Sequence, residues 1–355
     1  MKTFQVRTGG ELLEVAAAPG WVARLLAAAT GTAAENGAAI AADMALENGA
    51  AAAARLPESP TVTLRADAHR SPFDHGGMSP VTRGAYADGS RVLLENACSS
   101  GFDLLLEPTA AVLRVQARYR PDPKTRAANT LLAGRFRLLA AQTLLHYAVL
   151  WWGGRRGRVP LHASVVDTAA GVLLLAGPGG VGKTTAIRRA LSEGGTATAD
   201  NLCCADDMHC YGIAEPLRTD PISSRHGPAG PRIGPQNQHG RGRRTSHGRV
   251  EVAFPGRVPA LAPDRLIVLA RGATTATERL DPAEAARSLV SGTYAAGELR
   301  RYWAFAATLA LGTGMGPAHP PIEAVAAGYA RRLPCVRVQV ADGDTADIDS
   351  VVVRS

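Results

Sequence analysis

Gly177-Pro178-Gly179-Gly180-Val181-Gly182-Lys183-Thr184 places four glycines, a lysine and a hydroxyl residue at a spacing with a specific chemical use. Glycines at such positions let a chain bend until several backbone N–H groups converge on one anion, and a helix opening at Lys183 adds the positive end of its dipole. The run satisfies GxxxxGK[ST] in full, and the apolar stretch Val172 to Ala176 reads as the strand that feeds such a loop. The bland alternative is a glycine-rich strand-to-helix turn with no ligand. The expected ligand is the polyphosphate of ATP or GTP, cradled by Gly177, Gly179, Gly180, Val181, Gly182, Lys183, Thr184 and Thr185. Lys183 would reach the β- and γ-phosphates and the Thr184 hydroxyl would ligate Mg²⁺, with Mn²⁺ as the alternative ion. Thr185 also suits packing or capping of the first helical turn.

A metal-held triphosphate needs a carboxylate to complete the metal site, and a hydroxyl acceptor needs a base or a positioning group. Asp200 is the candidate for both, because Thr196 to Ala199 reads as a strand and its carboxylate would emerge at the strand tip. A cap or turn is the competing role for Asp200. Asp206-Asp207 lies between two strand-like runs, Leu202 to Ala205 and Met208 to Ile213, and fits hairpin-turn chemistry better. His162, read as part of a strand Leu161 to Val166, is either a satisfied core histidine or a donor and proton relay at the γ-phosphate. Arg218, in Glu215-Pro216-Leu217-Arg218-Thr219-Asp220, either neutralises the transferring phosphoryl group or pairs with Glu215 or Asp220.

The elements that must position these residues divide the chain in three. Residues 1–120 read as a small α/β domain suited to substrate or partner recognition. It has a hairpin of Lys2 to Val6 and Glu11 to Val15 about Gly9-Gly10, a helix Trp21 to Ala29, and strands at Thr61 to Leu64, Ser90 to Glu95, Phe102 to Leu106 and Ala111 to Gln116. His69 to Gly77 and Tyr86 to Gly89 read as loops. Residues 121–157 read as a connecting amphipathic helix from about Lys124 into Trp151, then a basic turn. Leu131, Leu138, Leu145 and Val149 form its apolar stripe, with Leu132 and Leu139 beside it and Trp151-Trp152 as packing anchors. Residues 158–355 carry the glycine loop. Its further elements are helices Lys183 to Leu191, Asp281 to Val290, Leu299 to Leu311 and Ile322 to Arg332, and strands Arg265 to Leu269 and Val336 to Val340. Between them Ser223 through Arg249 shows no regular element. Its Arg225, Arg232, Arg241, Arg243, Arg244 and Arg249, with His226, His239 and His247, suggest a basic flap over nucleotide or an acidic partner. Asp342 to Asp349 reads as an exposed acidic tail before Val351-Val352-Val353.

The 355 residues are 46% hydrophobic, enough for a large core. Five cysteines, an odd number without repeated ligand spacing, fit a reducing cytoplasm and neither a disulfide framework nor a zinc site. The net charge of +8 would attract nucleic acid, a membrane surface or an acidic peptide, but the aromatics are only 5% and are not interleaved with the basic residues, so nucleic acid is not expected. Met1 to Val6 does not read as a secretory signal, and no stretch reaches eighteen uninterrupted apolar residues, so no membrane role is expected. A homo-oligomer is left open.

The segments Leu161-His162-Ala163-Ser164-Val165-Val166, Gly177 to Thr184 and Thr198-Ala199-Asp200-Asn201 together resemble the catalytic domain of the HPr kinase/phosphorylase family, in the wider phosphoenolpyruvate carboxykinase group. The resemblance covers roughly Arg158 to Gly272. It implies an α/β P-loop domain with a mixed sheet, not the ordinary doubly wound type. It also implies an active-site role for His162, and that Asp200 matches the first of two aspartates. Asn201 stands where the family has the second. The run from Ala199 through Asp220 is more similar to divergent members that modify peptides, the lasso-peptide kinases among them. That likeness implies transfer of the ATP γ-phosphoryl group to a serine or threonine hydroxyl of a peptide or small protein. A small hydroxyl-bearing acceptor, such as an amino acid, or a noncatalytic nucleotide sensor are the alternatives.

Overall fold

The computed structural model describes residues 1–31, 54–219, 243–244, 248–252 and 254–341. The architecture is α/β, with mixed parallel and antiparallel sheets and several helices, in two compact units. The described residues in 1–31, 55–159 and 296–320 form the first; residues 160–295 and 321–341, where described, belong to the second. Among the described residues no helix is long and apolar enough to cross a membrane.

The first unit is built on eight strands in the order Lys2–Thr8, Glu11–Ala17, Val62–Asp67, Leu113–Tyr119, Phe102–Pro108, Val92–Leu94, Ala85–Ala87 and Ser79–Thr82. Gly9 (φ 58°) and Gly10 (φ 78°) close the first hairpin with Thr8 opposite Glu11, the left-handed pair that a tight two-residue turn demands. Tyr86 to Gly89 is not all loop. Ala85–Ala87 pairs with Val92–Leu94, and the turn begins only at Asp88, whose carboxylate accepts the Ser90 and Arg91 N–H groups. Pairing from a neighbour, invisible in composition, makes this strand.

The single helix expected from Lys124 into Trp151 is broken. Asp122 caps a first piece, Pro123–Leu131, by accepting the Thr125 N–H at 2.7 Å. Leu132 then leaves helical geometry (φ −111°, ψ 51°), the chain restarts as Ala133–Ala141, and a wide π turn at Gln142–His146 precedes Tyr147–Gly154. The break and the widened turn rotate the frame on which the stripe was drawn. Leu131 is 82% exposed and Leu132 53%, Arg135 faces solvent, and Leu145, Val149, Trp151 and Trp152 are buried.

The second unit centres on six strands in the order Thr196–Ala199, Ser164–Thr168, Gly171–Ala176, Arg265–Gly272, Cys335–Ala341 and Ala276–Arg279. Ser164–Thr168 runs antiparallel to both its neighbours, while Gly171–Ala176, Arg265–Gly272 and Cys335–Ala341 are mutually parallel. Thr196–Ala199 therefore points the same way as Gly171–Ala176. Four strands end on one edge of the sheet, and Ser164–Thr168 begins there. Helix Lys183–Ser192 buries Ile187 and Ala190 against Leu175, Ile267, Leu269 and Val338, so burial fixes the helix over one face of the sheet.

Leu161 to Val166 is two strands, not one. Val159–Leu161 lies in a separate four-stranded sheet with Cys203–Ala205, Cys210–Gly212 and Ala260–Leu261, and the chain crosses to the six-stranded sheet at His162-Ala163. A third sheet joins Leu217–Thr219, Val250–Val252 and Arg243–Arg244. A regular element thus does lie within Ser223 to Arg249: Arg243–Arg244 pairs with Glu251 and Val250, held by backbone bonds without any apolar alternation to announce it. Residues 223–242 and 245–247, Asp220, and the tail with Asp342 to Asp349 and Val351 to Val353 lie outside the described residues.

Candidate functional site

The glycine loop leaves the sheet at Ala176 and enters helix Lys183–Ser192 at its first turn. Gly177 has φ 141°, and a Cβ there would sit 2.5 Å from the Leu269 carbonyl oxygen, so only glycine permits this approach. Buried Val181 anchors the loop in the core beneath. Gly180 (φ 80°) and Gly182 (φ 115°) take left-handed backbone, and Cβ atoms at Gly179, Gly180 and Gly182 would meet nothing within 4 Å. The loop is thus pinned at one side and borders open space at three successive bends. Lys183 is 6% exposed; its Nζ donates to the carbonyls of Gly177 (2.6 Å) and Pro178 (3.1 Å), which folds the ammonium back over the loop. Thr184 is half-buried and Thr185 exposed.

Asp200 follows the last residue of Thr196–Ala199, on the strand-end edge shared with the loop. The Ser164 hydroxyl donates to its backbone carbonyl, tying it to the start of the adjacent strand. Only 5% of Asp200 is exposed, and burial pushes its carboxyl above the ordinary value. The Thr184 hydroxyl, the Arg218 guanidinium and backbone N–H, and the Lys183 ammonium pull the other way. Oδ1 of Asp200 has no hydrogen-bond partner among the described residues. An accepting oxygen is thereby left over, buried, next to a hydroxyl and two cations.

His162 lies in the crossing between two sheets rather than on a strand. Its backbone N–H donates to Thr293 Oγ1 at 3.1 Å, and its Nε2 lies 2.8 Å from Asn201 Oδ1. His162 and Asp200 are therefore linked through consecutive residues, with an amide between them. Arg218, on the strand Leu217–Thr219, pairs with buried Glu215 at 2.8 Å, the ion pair its sequence neighbours suggested. Glu215 also faces Arg257, whose guanidinium burial holds below its ordinary value against the pull of that carboxylate. Glu215 thus faces two arginines, one of which, Arg218, also acts on Asp200.

Asp206 is a turn residue. Its Oδ1 accepts the N–H groups of Met208 and His209 and its Oδ2 the Tyr211 hydroxyl, closing the hairpin between Cys203–Ala205 and Cys210–Gly212. Among the described residues no group of three or more His, Cys, Asp or Glu side chains is arranged to hold a metal ion, and the five cysteines are free.

Two arginines near these residues carry no signal in the sequence. Arg257 follows a glycine in an irregular stretch, where nothing signals burial. The strand expected over Arg265 to Leu269 continues to Gly272, and period-two alternation then puts Arg271 on the face of Leu269, beside the loop. Its Nη2 donates to the Gly180 carbonyl at 2.7 Å.

The carboxyl ends of parallel strands are where open α/β sheets offer ligand sites, and Lys183, Thr184, Asp200 and Arg271 all lie at this edge. The arrangement can hold an anion against loop amides and Lys183, and can offer a carboxylate oxygen to a cation or a proton. No protein-family model and no curated protein matches this sequence.

Proposed function

We propose that this protein is an ATP-dependent phosphotransferase of the HPr kinase-like kind, moving the γ-phosphoryl group to a serine or threonine hydroxyl of a peptide or small protein in the cytoplasm. The observation that carries the reading is the buried Asp200 carboxylate, one oxygen unpartnered, bonded to Thr184 at the mouth of an open glycine loop. Neither a structural turn nor a core needs such an oxygen, because burying an unpartnered acceptor costs about 1–3 kcal/mol.

The residues fit a magnesium nucleotide. Mg²⁺ typically takes one or two protein oxygens and completes its shell with phosphate and water, so Thr184 and Asp200 suffice without a larger acidic cluster. When bound there, the ion would neutralise charge developing between the β- and γ-phosphates. Lys183, now on the Gly177 and Pro178 carbonyls, would turn to the phosphates. The acceptor oxygen bonds to the γ-phosphorus as the bridging P–O bond breaks and ADP leaves. The hydroxyl proton passes to Asp200 or is positioned by His162. Arg218 holds the acceptor side with Glu215 fixing its guanidinium.

The test is intact-mass analysis and γ-phosphate tracing after incubation with Mg-ATP and the peptides encoded beside its gene, with Lys183→Ala as control. A phosphorylated peptide that depends on Lys183 is the expected result. Phosphate moved to a small hydroxyl compound instead would replace the acceptor class. Nucleotide bound with no transfer to any acceptor would replace the enzyme by a sensor, the reading that the amide of Asn201 between His162 and Asp200 favours.

A further inference from the structure

Arg271 has no place in the machinery above, yet its guanidinium bonds to the loop itself. It lies two residues past Leu269, whose backbone oxygen packs against Gly177, and on the same face of the strand. Nη2 donates to the Gly180 carbonyl at 2.7 Å, and Nη1 lies 3.4 Å from the carbonyl of Ala341 at the end of the next strand. One side chain therefore ties an exposed bend of the loop to two strand ends of the sheet. With φ 80° and nothing within 4 Å of where a Cβ would sit, Gly180 carries no side chain that could hold this bend.

We infer that Arg271 is a positioning residue that sets the direction of the loop's amides toward phosphate. In a trans peptide the carbonyl and the following N–H point in opposite directions. Holding the Gly180 oxygen on the Arg271 side turns the Val181 N–H away from it, and buried Val181 fixes the other end of the same peptide. An amide already aimed costs nothing to reorganise when an anion arrives. The planar fork matters, because its two terminal nitrogens reach the two carbonyls from separate, fixed positions, whereas an ammonium donates from a single nitrogen on a flexible stem. The inference deepens the nucleotide-binding reading and rests on it.

Arg271→Ala and Arg271→Lys in the full chain, titrated with ATP, ADP and AMP and assayed for transfer, test it. Arg271→Ala should weaken ATP and ADP about tenfold, equivalent to about 1.4 kcal/mol, and raise the KM for ATP more than it lowers kcat. AMP, whose single phosphate reaches less of the loop, should change less, Arg271→Lys should restore part of the loss, and the melting temperature should stay near that of the parent. Unchanged ATP affinity would overturn the inference, as would a fall in melting temperature with equal loss of all three nucleotides, which marks a merely structural tie. Absence of nucleotide binding by the unsubstituted protein would remove the kinase reading itself, and this inference with it.

Discussion

Asp200 and Asp206 stand six positions apart, each just past a short strand of the second unit, and they differ in burial, in unused hydrogen-bonding capacity and in the direction of their pKa shift. Asp206 is part-exposed, its carboxylate takes two backbone N–H groups and a phenol, and those bonds with nearby His209 hold its pKa below the ordinary value despite some burial. Asp200 is buried, keeps one oxygen unpartnered, and has its pKa pushed up. A carboxylate with all its bonds made stabilises a turn and has nothing left to offer. One that is buried and incompletely bonded weakens the fold, and such groups persist where a ligand or a reaction uses them. The contrast separates a structural acid from a candidate functional one without reference to any relative.

Asp200→Asn should break that contrast most visibly. The amide keeps the shape and can still accept from Thr184, but loses the charge for a cation and the basicity for a proton, so transfer should fall on the order of a thousandfold while ATP affinity changes little. Stability should move the other way. A carboxyl whose folded pKa is raised favours its protonated form, so the fold loses stability as pH climbs from the unfolded pKa through the folded one. Without nucleotide, Asp200→Asn should therefore melt at or above the parent at pH 8, with the difference shrinking toward pH 4. A variant that melts well below the parent throughout, or that still transfers phosphate, would place Asp200 with Asp206 among the structural acids.

Gly177 and Gly179 sharpen the same distinction within the loop. Gly177→Ala must satisfy a φ of 141° and a Cβ 2.5 Å from the Leu269 oxygen, which should cost about 2–4 kcal/mol in denaturant unfolding. Gly179→Ala meets open space and no left-handed backbone, so stability should hold while the added methyl enters the cradle and nucleotide titration shows weaker binding. Equal effects of the two on both measurements would mean that the open side of the loop is not where an anion sits.

What the sequence made legible follows the range of the forces involved. The Gly9-Gly10 hairpin, the strand feeding Gly177, the helix from Lys183 and the Asp206 turn are set by residues within a few positions of one another, and each was readable. Ala85–Ala87 and Arg243–Arg244 are strands only because distant or later segments pair with them. The long helix failed for a related reason: periodicity assumes one unbroken frame, and the departure at Leu132 and the π turn at Gln142–His146 have no residue type that announces them. In the candidate site, Lys183, Thr184 and Asp200 stand out by local chemistry. The Asn201 bond to His162 and the Arg271 tie to Gly180 span 39 and 91 positions, and only the sheet brings them together.

The smallest expected effect belongs to the other acid. Asp206→Asn removes the charge behind two N–H bonds and a phenol bond at a hairpin end, which should cost about 1–2 kcal/mol, since the site is part-exposed and the amide oxygen retains some of the bonding. Its pH dependence is the mirror of that at Asp200. Folded Asp206 has a lowered pKa, so its contribution is fully present above the unfolded carboxylate value, near pH 4, and is lost as pH falls through the folded one. Denaturant unfolding of parent and variant should thus differ at pH 7 and converge as pH falls through the folded value, with transfer activity at pH 7 close to the parent's. A variant folded as stably as the parent at pH 7 but dead in transfer would reverse the two acids, because chemistry would then depend on the carboxylate whose bonds are already made.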